Sequence, residues 1–562
     1  MGVNMDEQGT NIGVYEHFVE ICKNASDVQR KLLKKLIAEN KDAEYVRDKK
    51  IFNNTVEESV SKYSKNVPLS GYSDYSPYIN RLLLGESNLL FNAPVEFYNI
   101  SSGTTGEIKY IPLTKEDIEL HHKYVDLAVN EIICKHIPHK NEDEIFGCIF
   151  NLNDFFKTWM GSVPSGVRSG TYYWYTKSHG DFDVSRYTVP AEVFFPDEIE
   201  DMLYVRVRFA LSNPDVTAIF GIFTHRAVSI FRYIEQNWKT LIDDIRNGTV
   251  NDCFGVSDKW KEYIINKLPP DKERAAWLDS IPYEDLSKGM LLKIWNKLKV
   301  IRVIDGDTFY LYSDKLKEYA KGVSIHGFAY ASSEGVIGIN VDMNGNNEYV
   351  LIPDCCYYEF IPENSIDEKK TLTIDEVKAG ERYELIITTP SGFWRYHTGD
   401  IVEVTGFMYN SPKIRVCYRK ELVLSMFDES VTNEQLTTAF DIIIKEYGIG
   451  IKEFCVRGDS DSYPGNYCFY VEKEPDCDCT LSTEMAKRLD SALCEINVGY
   501  KMVRSLNDLD PVRIFEVMPG TFNEYDESAL KNGRRCEQGK PVRIITKKEQ
   551  IEYISSKVIR EV

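Results

Sequence analysis

Apolar residues along the chain recur with two different spacings, one helical and one strand-like. Helical spacing predicts α-helices over residues 26–40, 114 to about 137, 227–247, 260–268 and 432–447. Continuous β-prone runs predict strands over residues 95–100, 110–112, 300–304 and 383–389. The second helix begins at Thr114-Lys115-Glu116-Asp117, which resembles a capping box, and Pro138 would end it. This mixture predicts a mixed α/β architecture.

Length and composition place the chain among globular proteins. It has 562 residues, of which 43% are hydrophobic, so we expect about two to four domains with substantial cores. A boundary is expected between residues 418 and 430, followed by a compact α+β tail. We therefore predict a large N-terminal domain over residues 1–422 and a small C-terminal domain over residues 423–562.

The balance of charge limits the partners. Acidic residues outnumber basic ones by 87 to 67, which gives a formal net charge of -20, so nucleic acid and anionic membranes are not expected partners. The N-terminal residues do not resemble a secretory signal, and no run approaches eighteen apolar residues. We expect a soluble, cytoplasmic protein in which any bound nucleotide depends on local donors and a divalent metal.

Cysteine and histidine spacing indicates neither a zinc site nor a hydrolase. The thirteen cysteines are scattered and contain no pair of CxxC motifs, and the nine histidines contain no HExxH. A GxSxG elbow is also absent. The cysteines are interpreted as reduced thiols, most of them buried.

The first candidate motif is a loop rich in small and hydroxyl residues that follows the strand at 95–100. Glycines allow a backbone to approach phosphate, hydroxyls donate to its oxygens and a lysine adds positive charge. Alone, such a loop is equally compatible with an ordinary turn. The candidate phosphate-binding residues are Ser101, Ser102, Gly103, Thr104, Thr105, Gly106 and Lys109.

Two further motifs complete a possible nucleotide site. In Tyr330-Ala331-Ser332-Ser333-Glu334-Gly335, the glutamate is suited to bind Mg²⁺ and the tyrosine to lie against adenine. In Tyr396-His397-Thr398-Gly399-Asp400, interpreted as a glycine turn directly after a strand, the aspartate is suited to accept ribose hydroxyls. Taken singly, these motifs could be a strand end with a solvated glutamate and a common β-turn.

The three motifs in this order resemble the adenylate-forming superfamily of acyl-CoA synthetases, luciferases and peptide-synthetase adenylation domains. Within it, the sequence is most similar to the acyl acid-amido synthetases, a family first known from auxin-responsive plant genes. The stretches that carry the resemblance are residues 74–81, 332–340, 358–362, 404–407, 464–467 and 519–522.

The resemblance implies a luciferase-like fold, in which a large mixed α/β N-terminal domain with β-sheets and a β-barrel-like part precedes a small mobile α+β domain. It implies ATP-dependent formation of an acyl-adenylate, with ATP and Mg²⁺, and transfer of the acyl group to an amine. The partners would be a small carboxylic acid and an amino acid or other amine, and the protein would be a monomer or weak dimer. A thioester-forming acyl-CoA ligase and a non-catalytic nucleotide-binding descendant stay open as alternatives.

The resemblance also assigns roles to individual positions. Glu334 and Lys540 would be catalytic, Glu334 through Mg²⁺ and Lys540 through acyl and phosphate oxygens. The remaining nucleotide contacts would come from the first loop and from Tyr330, Ser332, Ser333, Asp400 and, at the hinge, Arg419. The acyl group would contact His121, Val125 and Phe223.

Several positions depart from the family pattern. Ser430 stands where many relatives have lysine after the hinge, which puts one phosphate contact in doubt. His397 replaces the usual arginine of the third motif, while Asp400 is kept. Relatives often have arginine where Leu120 and His121 stand, so we expect an acid different from the plant hormones.

Overall fold

The computed structural model describes residues 13–102, 108–153, 157–180, 182–196, 202–283, 288–304, 310–343, 347–363, 365, 370–419, 423–424, 426, 429, 431–459, 465–505, 509–525, 543–546 and 548–562.

The helices of the N-terminal part surround its sheets and form two groups along the chain. The first group is α1 Val14–Lys23, α2 Ala25–Asn40, α3 Glu44–Asp48, α4 Val56–Ser61, α5 Tyr63–Asn66, α6 Tyr72–Leu83, α7 Lys115–His121, a π-helical turn His122–Ala128 and α8 Val129–His136. The second group is α9 Asp143–Phe146, α10 Arg168–Ser178, α11 Ala191–Phe194, α12 Leu203–Ser212, α13 Thr224–Gln236, α14 Trp238–Asn247, α15 Asp258–Lys267, α16 Lys272–Asp279, α17 Met290–Ile294 and α18 Tyr310–Tyr319.

Three sheets lie among these helices. The first eight strands are β1 Phe97–Ser102, β2 Ile108–Leu113, β3 Ile149–Asn151, β4 Lys157–Met160, β5 Val163–Gly166, β6 Ala218–Phe223, β7 Val300–Ile304 and β8 Ser324–His326. They form the sheets β2-β1-β5-β4 and β3-β6-β7-β8, and the second is parallel throughout. The next seven are β9 Ala329–Ala331, β10 Val336–Ile339, β11 Tyr349–Leu351, β12 Tyr357–Pro362, β13 Arg382–Thr388, β14 Tyr396–Met408 and β15 Ser411–Arg419. They form the antiparallel sheet β12-β13-β14-β15-β11-β10-β9.

The C-terminal part is a smaller α+β unit. Its elements are β16 Val423–Leu424, β17 Val431–Thr432, α19 Asn433–Tyr447, β18 Ile451–Asp459, β19 Asn466–Lys473, α20 Thr483–Ile496, α21 Val498–Ser505, β20 Arg513–Val517, α22 Lys548–Ser556 and β21 Val558–Glu561. Strands β18-β19-β20-β21 form its sheet. The buried apolar side chains of this unit form their own clusters, separate from the large cluster of the N-terminal part, whose members run along the chain from Phe18 to Ile414. One ion pair, Arg232 to Glu474 at 2.5 Å, joins α13 to this unit.

The mixed α/β fold and most predicted elements are confirmed. Thr114 caps α7 with the predicted box, in which its hydroxyl accepts from the Asp117 amide and the Asp117 carboxylate accepts from the Thr114 amide. The helix predicted over residues 227–247 is two helices separated at Asn237. None of the helices in the described part of the chain has the length and apolar composition that a membrane crossing requires.

Arg395 ties the N-terminal helices to the seven-stranded sheet. Its buried guanidinium donates from Nε to both carboxylate oxygens of Glu359, at 3.2 and 2.9 Å. Nη1 donates to the carbonyls of Ser64 and Val67 at 2.7 and 2.6 Å, and Nη2 to the Thr371 hydroxyl at 2.9 Å. All three nitrogens are therefore paired, and this network holds the end of α5 against β12.

We expect Arg395→Met to lower the free energy of unfolding by about 3–5 kcal/mol, because the substitution leaves the Glu359 carboxylate buried without its partner. Urea denaturation measures this loss. The matched control is Arg488→Met, which breaks an exposed pair with Glu446 and should cost less than about 1 kcal/mol. Equal losses in the two variants would contradict a structural role for the buried pair.

Candidate active site

The first motif lies at the end of a hairpin formed by β1 and β2. Ser101 pairs with Lys109 across the hairpin, and Ser102 pairs with Ile108. The Lys109 ammonium lies 5.2 Å from the centroid of the Tyr72 ring. Four residues of the predicted loop, Gly103, Thr104, Thr105 and Gly106, lie outside the described residues, so the hairpin fixes only where this loop begins and ends.

A buried asparagine in β1 connects the first motif to the second. The Asn99 side-chain amide donates to the Ser333 carbonyl at 3.0 Å, and its Oδ1 accepts from the Thr171 hydroxyl at 2.9 Å. Asn99 is fully buried, so both halves of the amide need these partners. Asn99 carries no local signal in the sequence, because its partners lie far away along the chain.

The second and third motifs meet at Glu334. This side chain is 8% exposed, which rules out the alternative of a solvated glutamate at a strand end. The Tyr396 hydroxyl donates to Glu334 Oε1 at 3.0 Å, and the backbone N–H of Glu334 donates to Ser332 Oγ at 3.3 Å. Glu334 is thus held in place by a residue from the start of the third motif.

The same two motifs also meet at Asp400. The Tyr330 hydroxyl donates to Asp400 Oδ2 at 2.5 Å, which places the predicted adenine and ribose residues side by side. Across the sheet, Asp400 pairs with Arg419, the predicted hinge residue, whose side chain lies outside the described part of the structure.

The third motif is not the turn after a strand that we predicted. It forms the first residues of β14, within an irregularity in which residues 397–401 oppose only residues 384–386 of β13. Gly399 has φ of 75° at this position, a conformation that glycine adopts without a Cβ clash. Such a bulge changes the direction of nearby side chains, which explains how Asp400 reaches Tyr330 from a strand.

The described residues contain no group of three or more histidine, cysteine, aspartate or glutamate side chains that could hold a metal ion. A site with one carboxylate is still compatible with Mg²⁺, which commonly takes one or two protein carboxylates and completes its shell with phosphate oxygens and water. Glu334, with Oε1 bonded to Tyr396, offers such a carboxylate.

Two of the three predicted acyl-pocket residues lie on one helical stretch. His121 ends α7, and Val125 lies in the π-helical turn that follows, where its carbonyl accepts from Arg302 Nη2 at 2.8 Å. Phe223 ends β6 in the parallel sheet, beside Ile304 of β7. Arg302 belongs to β7 and stacks 4.3 Å from the Phe220 ring centroid, so the π-helical turn is fixed to this sheet.

The side of α7 and the π-helical turn that faces α10 is aromatic and polar. The His122 ring stacks on the Tyr172 ring at 3.7 Å with an interplanar angle of 4°. His122 Nδ1 is 3.2 Å from Asp126 Oδ2. Although burial opposes it, His122 and Arg302 lower the pKa of Asp126 to about 2, so this carboxylate is ionised at neutral pH.

His121 is uncharged at neutral pH. Its ring is partly exposed, but Nδ1 is shielded from solvent and has no hydrogen-bond partner among the described residues. Loss of hydration, together with the nearby charge of Arg168, lowers the pKa of His121 to about 3. The other predicted residues, Lys540 and Ser430, lie outside the described residues.

The chain matches three family models in succession. Residues 14–325 match the GH3 family N-terminal domain, residues 349–419 its central domain and residues 434–549 its C-terminal domain. The chain belongs to the GH3 family. These matches confirm the resemblance drawn from the motifs, while the division at residues 422/423 stays a prediction.

GH3 relatives cover nearly the whole chain. The indole-3-acetic acid-amido synthetase GH3.10 of Arabidopsis thaliana is 26% identical, covering 98% of this chain and 97% of its own. The 4-substituted benzoates-glutamate ligase GH3.12 of the same plant is also 26% identical, covering 96% of each. The solved GH3.15 acyl acid amido synthetase in complex with 2,4-DB is 25% identical, with a TM-score of 0.85 over 100% of this chain and 98% of its own.

A more distant solved structure shares the fold alone. A 2-hydroxyisobutyryl-CoA ligase in the postadenylation state is 12% identical, with a TM-score of 0.50 over 97% of this chain and 90% of its own. The fold of this GH3 chain is therefore that of the adenylate-forming ligases.

The uncharged state of His121 has a measurable consequence for stability. The unfolded chain binds a proton at this histidine near its ordinary pKa of 6.5, but the folded chain does so only near pH 3. The free energy of unfolding therefore falls as pH drops below 6.5, and between pH 7 and pH 5 one such group accounts for a loss of about 1–2 kcal/mol. In His121→Gln this loss should be absent, as shown by urea denaturation at both pH values.

His326→Gln is the matched control, because burial lowers the pKa of His326 to about 3 as well. Its effect should be of similar size and should add to that of His121→Gln. If the pH dependence of His121→Gln equals that of the unchanged protein, the pKa of His121 is the same in the folded and unfolded chain, which contradicts the prediction.

Proposed function

We propose that this GH3 protein is an ATP-dependent acyl acid-amido synthetase, which activates a small carboxylic acid as its acyl-adenylate and transfers the acyl group to an amino acid. The observation that carries the proposal is that the second motif contacts the third, through Glu334 with Tyr396 and Tyr330 with Asp400, and contacts the strand leading into the first, through Ser333 with Asn99. The amide-forming activities for which the GH3 relatives are named support the same reaction class.

In the first half-reaction, a carboxylate oxygen of the acid bonds to the α-phosphorus of ATP, and the bond from this phosphorus to the bridging oxygen breaks, so that pyrophosphate leaves. The first loop and Lys109 would contact the phosphates, Tyr330 would lie against adenine and Asp400 would accept from the ribose. Mg²⁺ held by Glu334 would offset negative charge on the phosphate oxygens.

In the second half-reaction, the amine nitrogen attacks the acyl carbon, AMP leaves and the nitrogen loses a proton. We propose that the C-terminal unit moves between the two steps about a hinge within residues 419–430, and that Lys540 serves the first. The Arg232–Glu474 ion pair would have to break during such a movement. An acyl-CoA ligase would share the first step and differ in the acceptor.

The proposed setting is the cytoplasm, with the protein a monomer or weak dimer. All twelve cysteines that the structure describes are free, which suits a reducing compartment.

A screen of carboxylic acids for ATP-dependent pyrophosphate release tests the proposal. We expect release with at least one acid, followed by consumption of an amino acid and formation of an amide. Consumption of coenzyme A in place of the amino acid would favour the thioester ligase. Nucleotide binding without pyrophosphate release from any acid would favour the non-catalytic descendant.

Two substitutions separate the proposed metal and ribose roles. Glu334→Gln should lower kcat by about 100-fold or more, because charge on the phosphates is no longer offset in the transition state. Asp400→Asn should mainly raise KM for ATP, by about tenfold, as the loss of a hydrogen bond to a charged group predicts.

The matched control for both variants is Glu403→Gln, on the same strand as Asp400 but paired with Arg415 at 3.1 Å. It should leave both constants within about twofold, as for surface pairs. Steady-state pyrophosphate release measures all three variants. An unchanged kcat in Glu334→Gln would contradict the metal role.

A further inference from the structure

Arg168 is a buried cation without a partner. It lies in the first turn of α10 and is 5% exposed. Its Nε, Nη1 and Nη2 have no hydrogen-bond partner in the described part of the chain, and no carboxylate oxygen there lies within 4.0 Å. Because a buried charge is costly unless it is paired, this guanidinium needs an anion.

Five other buried arginines each have at least one hydrogen-bond partner. The bonds that show this are Arg208 Nη2 to the Asp244 carbonyl, Arg274 Nε to the Leu211 carbonyl, Arg302 Nη1 to Asn130 Oδ1, Arg395 Nε to Glu359 and Arg543 Nη1 to the Phe454 carbonyl. Arg168 differs from these five arginines because none of its three guanidinium nitrogens is paired.

Among charged groups, Asp117 acts most strongly on Arg168, but it is a poor counter-ion. Its Oδ2 accepts from the Thr114 hydroxyl at 2.9 Å and from the Ser391 hydroxyl. Burial raises the pKa of Asp117 in spite of the charge of Arg168 and these bonds. The Asp117 carboxylate thus forms the cap of α7, and it lies beyond ion-pair distance of the Arg168 guanidinium.

Arg168 is connected to both parts of the candidate site, the nucleotide motifs and the predicted acyl pocket. One turn along α10, Thr171 bonds to Asn99, which bonds to Ser333 of the second motif, and Glu334 is near enough to act on the charge of Arg168. On the other side, Arg168 is near enough to lower the pKa of His121. The guanidinium therefore stands where an acid would have to meet the nucleotide.

His121 supplies a second unpaired group at this place. Its uncharged ring can bond to a carboxylate without adding a second positive charge, and its Nδ1 is unpaired among the described residues. His121, His122 and Tyr172 are each partly exposed, so this side of the helix pair is open to solvent. The guanidinium itself is shielded, and an incoming acid would displace the side chains that cover it.

We propose that Arg168 binds the carboxylate of the acid substrate and positions it for reaction with the α-phosphorus of ATP, with His121 as a second contact. This inference rests on the proposed function and names the residue that makes it specific for carboxylic acids. Arg168 touches the reacting group and is therefore a catalytic residue in this proposal.

The charges around Arg168 also define the class of acid. One guanidinium without a hydrogen-bond or ion-pair partner among the described residues matches one carboxylate, and the stacked rings of His122 and Tyr172 provide a flat wall for a planar or apolar body. Asp126, which lies beside His122 and is paired with Arg302 at 3.5 Å, offers no positive charge to a second carboxylate. The expected substrate is a monocarboxylic acid with an apolar body, and the matching dicarboxylic acid should be rejected.

The test compares Arg168→Met, Arg168→Lys and the unchanged full-length protein with the best acid from the pyrophosphate screen. We expect Arg168→Met to raise KM for the acid by about thirtyfold or more, as the loss of a buried charge partner predicts, and to leave KM for ATP within about twofold. Arg168→Lys should give an intermediate KM for the acid, because lysine keeps the charge but loses the planar fork.

Stability distinguishes this role from a structural one. Because Arg168 has no partner to lose, Arg168→Met should unfold at the same urea concentration as the unchanged protein or at a higher one. Arg274→Met, which removes a buried arginine paired to two carbonyls, should unfold at a lower concentration. An unchanged KM for the acid in Arg168→Met would overturn the proposal. It would also be overturned if Arg168→Met were destabilised as much as Arg274→Met and its KM values for the acid and for ATP were both raised.

A binding measurement separates failure of this inference from failure of the proposed function. The ligands are benzoate, phenylacetate and hexanoate, and the control for each is its uncharged primary amide. The measurement is the midpoint temperature of thermal unfolding with and without each compound. If no acid supports pyrophosphate release, the proposed function fails. The binding role is still supported if a carboxylate raises the thermal midpoint, its amide does not, and the rise is lost in Arg168→Met. No rise with any of the carboxylates, or an equal rise in Arg168→Met, overturns it.

Discussion

The site depends on the requirement that a buried amide pair both its donor and its acceptor. Asn99 meets this requirement through the Ser333 carbonyl and the Thr171 hydroxyl, because its side chain is shielded from bulk solvent. One side chain thereby fixes a strand, a loop and a helix that are remote in sequence. The loop bearing Glu334 and the helix bearing Arg168 are positioned by the same constraint.

Two buried arginines show what the fold does with charge. Arg395 is neutralised by Glu359 and bonded through every nitrogen, so its charge stabilises the packing of α5 against β12. Arg168 is buried to a similar degree, but its three guanidinium nitrogens have no hydrogen-bond partner in the described part of the chain. Under our proposal, an anion that binds Arg168 would offset the cost of burying this charge, and the rest of the fold stabilises the site until then.

Local signals in the sequence predicted the elements and the three motifs, but not the contacts that join them. The cap at Thr114, the helix after Thr432 and the strand over 300–304 follow from caps and apolar spacing alone. Asn99 and Arg168 carry no such signal, because their roles depend on residues elsewhere in the fold; Ser333 is 234 positions from Asn99. The prediction of a turn at Gly399 is wrong because a glycine beside threonine and aspartate is typical of a turn, and the sequence does not show that the glycine lies in a bulged strand.

The π-helical turn between α7 and α8 has a consequence for how this family can diversify. A π-helical turn corresponds to one residue more than an α-helix would need over the same length, and here it separates the capped end of α7 from α8. Deleting one residue from this turn would restore a regular α-helix and leave α7 and α8 in place, because the turn absorbs the additional residue. The deletion would change which side chains the turn presents around Val125 and keep the cap at Thr114. Loss of a single codon is therefore a short evolutionary path to a different set of contacts at this turn.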